Sequence, residues 1–417
     1  MSKAHAHPIA GSVGNVLEWY DFAVFGFLAP VMGPLFFPES DPIAGLIKTY
    51  GVFAAGYLMR PLGGILFGHI GDRLGRRRSL QLSIALMAVP TVLVGCLPTH
   101  ASAGALATVL LIGLRLLQGL SVGGELIGSI TYLVETARPG RRGMTGSFSL
   151  VGAIFGILLG SLTVSLIKGM LDDAAFASWG WRVPFLLGVV IFLVGGWLRR
   201  SLDESPEFHL AGNAERSPLL AVLRDYPGTV LHTAAMLLLY ATSFYTLFVW
   251  MPTYLTDFVK PPVEHAMDIN TITMVILLGA LVGAGWLADR VGPRRVLIAG
   301  CVLLGLLVYP MFRVLDHGVW QEALLMQAVF AVLVGLIQGP VPLILVEAFP
   351  ASLRNTAIGL SYNITLALFG GTAPMACTWF IARTNDLAAP AIYLAVLSVI
   401  STVALLTLGR APARIGR

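Results

Sequence analysis

Twelve stretches of mostly apolar residues leave this chain few ways to fold: 11–37, 46–69, 80–97, 103–136, 142–167, 181–200, 229–257, 269–288, 295–312, 321–346, 355–382 and 388–409. About 20 such residues in a helix cross the ~30 Å of bilayer hydrocarbon. In that medium only a helix or a closed barrel satisfies its own backbone groups. The expected class is therefore an all-α membrane protein of twelve transmembrane helices. Composition agrees, since 56% of the 417 residues are hydrophobic and only 12% are charged. The net charge of +5 does not point to nucleic acid, because the basic residues form short clusters between apolar runs and no basic face. Cys96, Cys301 and Cys377 all fall inside apolar segments and are read as small buried hydrophobes, not a disulfide framework. The opening MSKAHAHP is only weakly basic, and the apolar run after it is interrupted by acids and carries no small-residue cleavage signature, so that run is read as a span and not a signal peptide.

Lysine and arginine orient the spans. The termini and one set of loops carry 19 of them, among them Arg73, Arg76, Arg77, Arg78, Arg138, Arg141, Arg142, Arg290, Arg294, Arg295 and Arg354. The opposite loops carry 6: Lys48, Lys168, Arg182, Lys260, Arg313 and Arg383. Both termini are expected to be cytoplasmic, in a cell's inner membrane. Only Arg60 and Arg115 lie within spans.

The chain is also duplicated. GHIGDRLGRRR at 68–78 recurs as GWLADRVGPRR at 285–295, and Glu135 with Arg142 recurs as Glu347 with Arg354. The longest polar connection, 201–228, leaves six spans on each side. The expected domains are a six-helix bundle at 1–200, a cytoplasmic linker at 201–228 and a second six-helix bundle at 229–417. Parallel six-span repeats build one large transporter architecture, with substrate held between the halves.

Two copies of Gly-x-x-x-Asp-Arg-x-Gly-x-Arg-Arg, together with GNVLEWYDF, LMRPLGGILFGHIGDRLGRR, RLLQGLSVGGE, WGWRVPF and AFPASLRNTAIGLSYNITLALFGGTAP, span nearly the whole sequence. As a set they resemble the metabolite:proton symporters of the major facilitator superfamily, which include α-ketoglutarate, citrate, shikimate and proline/betaine carriers. The resemblance implies the major facilitator fold, transport by alternating access, and a gating role for the loop motifs. The gating candidates are Asp72, Arg73, Arg76, Glu135, Arg142, Asp289, Arg290, Glu347 and Arg354. Asp72 and Asp289 sit at helix ends, where each can meet an arginine or a neighbouring helix N-terminus. Gly75 and Gly292 allow the tight turn.

The charged residues inside the first half are harder to place by packing alone. GNVLEWYDF puts Asn15, Glu18 and Asp21 in the first span. In the fourth, Arg115, Gln118, Val122, Glu125, Ser129 and Tyr132 share one helical face. At ~1.5 Å per residue, Glu18 lies ~10 Å, Arg60 ~14 Å, Asp21 ~15 Å and Glu125 ~16 Å from the arginine-rich side. Intramembrane ionisable groups are expensive and mark function by default. Three acids stand against two bases, so one carboxyl is left to take up a proton. Asp21 is the first choice for that group and Glu125 the second, with Glu18 paired to Arg60 and Arg115 reserved for a substrate carboxylate. The second half supplies Tyr240, Tyr245, Gln338, Tyr362 and Asn363, suited to reading substrate shape. Trp250 and Tyr254 are read as interfacial anchors, and Gly152, Gly156 and Gly160 as a packing seam.

The expected function is a proton-coupled importer of a small carboxylate-bearing metabolite, either an organic acid or a zwitterion such as betaine or proline. A proton antiporter or exporter of the same fold is the alternative. The chain carries no His-Glu-x-x-His motif and no Ser–His pairing within its spans, so an enzyme is not expected. Nor is a cofactor beyond the proton, a metal, or an oligomer.

Overall fold

The computed structural model describes residues 8–39, 41–64, 66, 76–121, 125–200, 218–350 and 353–407. Each expected span is helical where described. Among the described residues, eight helices are long and apolar enough to cross a membrane outright: Ala105–Glu135, Arg142–Met170, Pro227–Phe258, Ala266–Val291, Pro293–Leu315, Trp320–Ala348, Arg354–Thr384 and Ala389–Thr407. The first span is a bent pair, Pro8–Phe27 and Ala29–Phe36, turning by 67° at Leu28. The remaining spans are Pro42–Leu58 with helical residues 60–64, Arg76–Cys96 and Arg182–Arg200. Together they give twelve helical segments in the order expected from the sequence.

Breaks in these helices have local causes. Pro30 and Pro34 each lack an N–H to donate to the preceding turn, and the first span bends just ahead of them. Wider π-type turns occupy Tyr245–Trp250 and Leu366–Gly370, ahead of Pro252 and Pro374.

The halves meet where the fifth span lies along the eighth, the second along the eleventh, and the first against the seventh. Glycine permits the closest of these approaches. A Cβ at Gly143 would stand 2.6 Å from the Gly285 carbonyl oxygen, and one at Gly285 would stand 2.7 Å from that of Gly143. Within the first half, Gly156 and Gly160 of the expected seam face the backbone of Val16 and Tyr20.

Some side chains sit elsewhere than expected. Trp250 and Tyr254 are fully buried and not interfacial. Trp250 Nε1 donates to Thr378 Oγ1 at 2.9 Å, and the Tyr254 hydroxyl donates to Asp316 at 2.6 Å. Their helix is packed on every side, so ring polarity is met inside the protein. Cys301 and Cys377 are buried, whereas Cys96 is exposed.

Candidate functional site

The carboxylates of GNVLEWYDF are held by two separate clusters. Glu18 accepts from Arg60 Nη2 at 2.8 Å, in a pair almost closed to solvent. The guanidinium lies over the rings of Trp19, Phe22 and Tyr57 at 5.1–5.9 Å. Cation–π contacts of this kind gain strength when desolvated.

Asp21 is paired as well. Its Oδ2 accepts from Arg115 Nη1 at 3.0 Å, and its Oδ1 accepts from Thr91 Oγ1 at 2.7 Å and Gln118 Nε2 at 2.8 Å. Arg115 Nη1 also donates to Gln118 Oε1 at 3.0 Å, and Arg115 lies 4.3 Å from the Phe25 ring centroid. Asp21, Arg115 and Gln118 are all fully buried.

This arrangement corrects two assignments. Asp21 is not an unpaired acid, and Arg115 is enclosed by Asp21, Gln118, Phe22 and Phe25 without lining the central cavity. Spacing along one helix placed Arg115 on a polar face. It did not reveal that the first span brings a carboxylate to the same point. Glu18 and Asp21 are thus both paired, and the side chain of Glu125 lies outside the described residues. Of the polar face on the fourth span, Arg115, Gln118 and Ser129 are buried, while Tyr132 is 43% exposed. Asn15 is buried too, donating to the Ser149 carbonyl at 3.4 Å, with its Oδ1 unpartnered among the described residues. Arg115 Nε and Nη2 and Arg60 Nε have no partner there either.

Between the halves, Trp19, Leu126 and Ile154 face Tyr240, Tyr245 and Tyr362 around a central cavity of 20 Å³, room for about one water. The Tyr240 and Tyr362 hydroxyls are 3.1 Å apart, and Gln338 Nε2 donates to the Tyr240 carbonyl at 3.4 Å. Asn363 is buried on the same helix as Tyr362. Trp19 Nε1 is buried without a partner among the described residues, and Trp19 belongs to the cavity wall. The Tyr245 hydroxyl crosses the interface to Tyr57 at 2.7 Å. Trp19, Thr91 and Tyr57 were not anticipated, although Thr91 stands out as a polar residue in the apolar run that follows Pro90.

The arginine-rich face is closed by contacts between the halves. Asp289 Oδ1 and Oδ2 accept the Gly143 and Met144 N–H groups at 2.7 and 2.9 Å, capping the fifth span from the other bundle. Gly292 ends the eighth span with φ +96°, a conformation open to glycine. Arg354 pairs with Glu135, and Thr131 Oγ1 donates to Asn355 at 2.7 Å. The repeat-related Arg142 and Glu347 form no ion pair with each other; Arg142 donates to the Val134 carbonyl at 3.4 Å, and Glu347 is exposed. Arg290 stacks over Trp286 at 3.9 Å instead of bridging the halves. Asp72 and Arg73, and the side chain of Arg76, lie outside the described residues.

Two sets of helices that meet through polar clasps, with a ring-lined cavity between them, are the parts of a carrier. The chain is 36% identical over 378 residues to the alpha-ketoglutarate permease of Escherichia coli, covering 88% of this chain and 84% of that protein. It is 32% identical over 406 residues to the proline/betaine transporter of Salmonella typhimurium, covering 94% and 81%. In fold it is similar to the proton:xylose symporter XylE bound to 6-bromo-6-deoxy-D-glucose, with TM-score 0.76, 19% identity and coverage of 95% and 94%. It is also similar to a partially occluded inward-open xylose transporter XylE from E. coli, with TM-score 0.74, 20% identity and coverage of 96% and 95%. The family model described as sugar (and other) transporter matches residues 8–228 and again 228–408. The chain is therefore a multi-pass membrane transporter for small molecules, not an enzyme, and belongs to the sugar (and other) transporter family of the major facilitator superfamily.

Proposed function

We propose that this transporter is a proton symporter that imports a small carboxylate-bearing metabolite, by rocking of bundles 1–200 and 229–417 about the linker 201–228. The observation that carries the reading is the buried Asp21–Arg115 pair. Among the described buried side chains, Glu18, Asp21, Arg60 and Arg115 sum to zero charge. Protonating Asp21 leaves one positive charge in the core, and burying an uncompensated charge costs several kcal/mol. A substrate carboxylate restores neutrality. Each ligand thus favours the other, which is the reciprocal coupling that symport requires.

Arg60 takes over the role expected of Arg115. It borders Trp19, a wall of the central cavity, and its Nε is unpartnered among the described residues. The relatives' names are consistent with this, since proline, betaine and α-ketoglutarate all carry a carboxylate. The tyrosines Tyr240, Tyr245 and Tyr362 would then fit the rest of the molecule. The gates are the clasps at Asp289, Glu135 and Arg354. The carrier works as a monomer in the inner membrane with both termini in the cytoplasm, and it needs no cofactor besides the proton.

A thermal-shift screen of purified protein against organic acids, betaines and amino acids identifies the substrate. Uptake of the hit into proteoliposomes then tests coupling. Accumulation driven by an inside-alkaline pH gradient is the expected result; uptake indifferent to that gradient would overturn it.

A further inference from the structure

We propose that the face opposite the arginine-rich loops carries a second binding site, a vestibule where a small zwitterion docks before it moves inward. A cavity of 360 Å³ opens there between the first, fifth, seventh and eighth spans. It borders a second cavity of 220 Å³, the two sharing Pro30 and Asp257. The volume is in the range of ligand pockets, whereas the central cavity holds about one water. A closed layer separates them. The buried Tyr50 and Thr253 hydroxyls meet at 3.0 Å across the halves, with Tyr57 and Tyr245 joined beyond them.

Charge on the vestibule wall is divided by sign between the two halves. Lys168 comes from the fifth span; Asp257, His265 and Asp268 come from the seventh and eighth. Asp268 is already engaged, accepting from Ser165 Oγ and lying 3.2 Å from His265 Nδ1. Lys168 has no ion pair among the described residues, and Asp257 lies within electrostatic reach of Lys168 and Lys260. A carboxylate at Lys168 and a cationic nitrogen at Asp257 satisfy both groups at once. A dicarboxylate would meet two aspartates on the same wall and be disfavoured. The vestibule therefore selects zwitterions, in a carrier whose import direction rests on the function proposed above.

Gly169 lines this cavity, and a Cβ there meets nothing within 4 Å. The test uses full-length Gly169→Cys in a Cys96→Ser background, reconstituted in proteoliposomes and labelled with a membrane-impermeant maleimide. Glycine betaine is expected to slow labelling, and succinate to leave it unchanged. Lys168→Gln and Asp257→Asn should each raise the half-protecting betaine concentration about fivefold, the scale of one partly exposed charge contact. Equal protection by succinate, or a half-protecting concentration unmoved in both variants, overturns the vestibule. Uptake driven by pH is read separately. Protection that both variants weaken, without such uptake, supports the vestibule and removes only the symport reading; pH-driven betaine uptake without protection removes the vestibule alone.

Discussion

Asp21 Oδ2 lies 3.0 Å from Arg115 Nη1, with both side chains shut away from solvent and contributed by different spans. Neutralising one partner strands the other, at a typical cost of about 3–5 kcal/mol. Asp21→Asn is therefore expected to unfold at lower temperature, and Asp21→Asn with Arg115→Gln to regain much of that loss. Both variants should still exchange substrate across the membrane, yet neither should concentrate it when the lumen is made alkaline. Concentrative uptake by the stable double variant would end the role of Asp21 and direct attention to Glu125.

The two buried arginines are predicted to fail differently. Arg60→Lys keeps the charge but loses the planar fork, so substrate affinity should fall about tenfold or more. Arg115→Lys should leave affinity within about threefold while shifting the pH at which uptake is half-maximal, because Arg115 is bonded to Asp21 and Gln118 and lies away from the cavity. Binding isotherms and pH profiles of the pair separate the roles. An affinity loss confined to Arg115→Lys would restore the simpler assignment to that residue.

Much of this was legible in the residue order because a bilayer allows so few backbones. Hydropathy located the spans that the described residues show as helices, and the recurrence of Asp-Arg-x-Gly exposed the duplication. Glu18 meets Arg60, the pairing expected from the sequence, although depth alone left Asp21 within reach of the same arginine. Partners that come from non-adjacent spans were not legible. Nothing near Asp21 in sequence announces Thr91 or Arg115, and helical spacing cannot tell whether a polar face meets a cavity or a counter-charge. Trp250 was misplaced for a related reason: its stretch of helix is packed on every side, and the partner of its ring N–H, Thr378, comes from a distant span.

Asp289 is predicted to govern which face opens, not how tightly substrate binds. Its carboxylate takes two N–H groups at the start of the fifth span, and losing a helix cap costs about 1 kcal/mol. Asp289→Ala should shift the population open at the arginine-rich face by roughly fivefold. Cysteine accessibility on that face would rise, turnover would slow and equilibrium affinity would hold. Lost affinity with unchanged accessibility would remove Asp289 from the gate.

The Tyr57–Tyr245 hydroxyl bond is predicted to couple the two halves across the closed core. It spans the interface at 2.7 Å, beside Arg60 on one side and the central cavity on the other. Both rings are buried, and Tyr57 also packs on Gly371 of the eleventh span, so substitution by Phe preserves shape and removes only the bond. A neutral hydrogen bond contributes about 1 kcal/mol net, and each hydroxyl loses its partner when the other is removed. Tyr57→Phe and Tyr245→Phe should each speed opening toward the vestibule by about fivefold. The double variant should add little to either, because the two substitutions break the same contact. Fluorescence quenching across that face during substrate exchange measures the opening rate. Additive effects in the double variant would show that the hydroxyls act separately and that the bond itself does not hold the halves together.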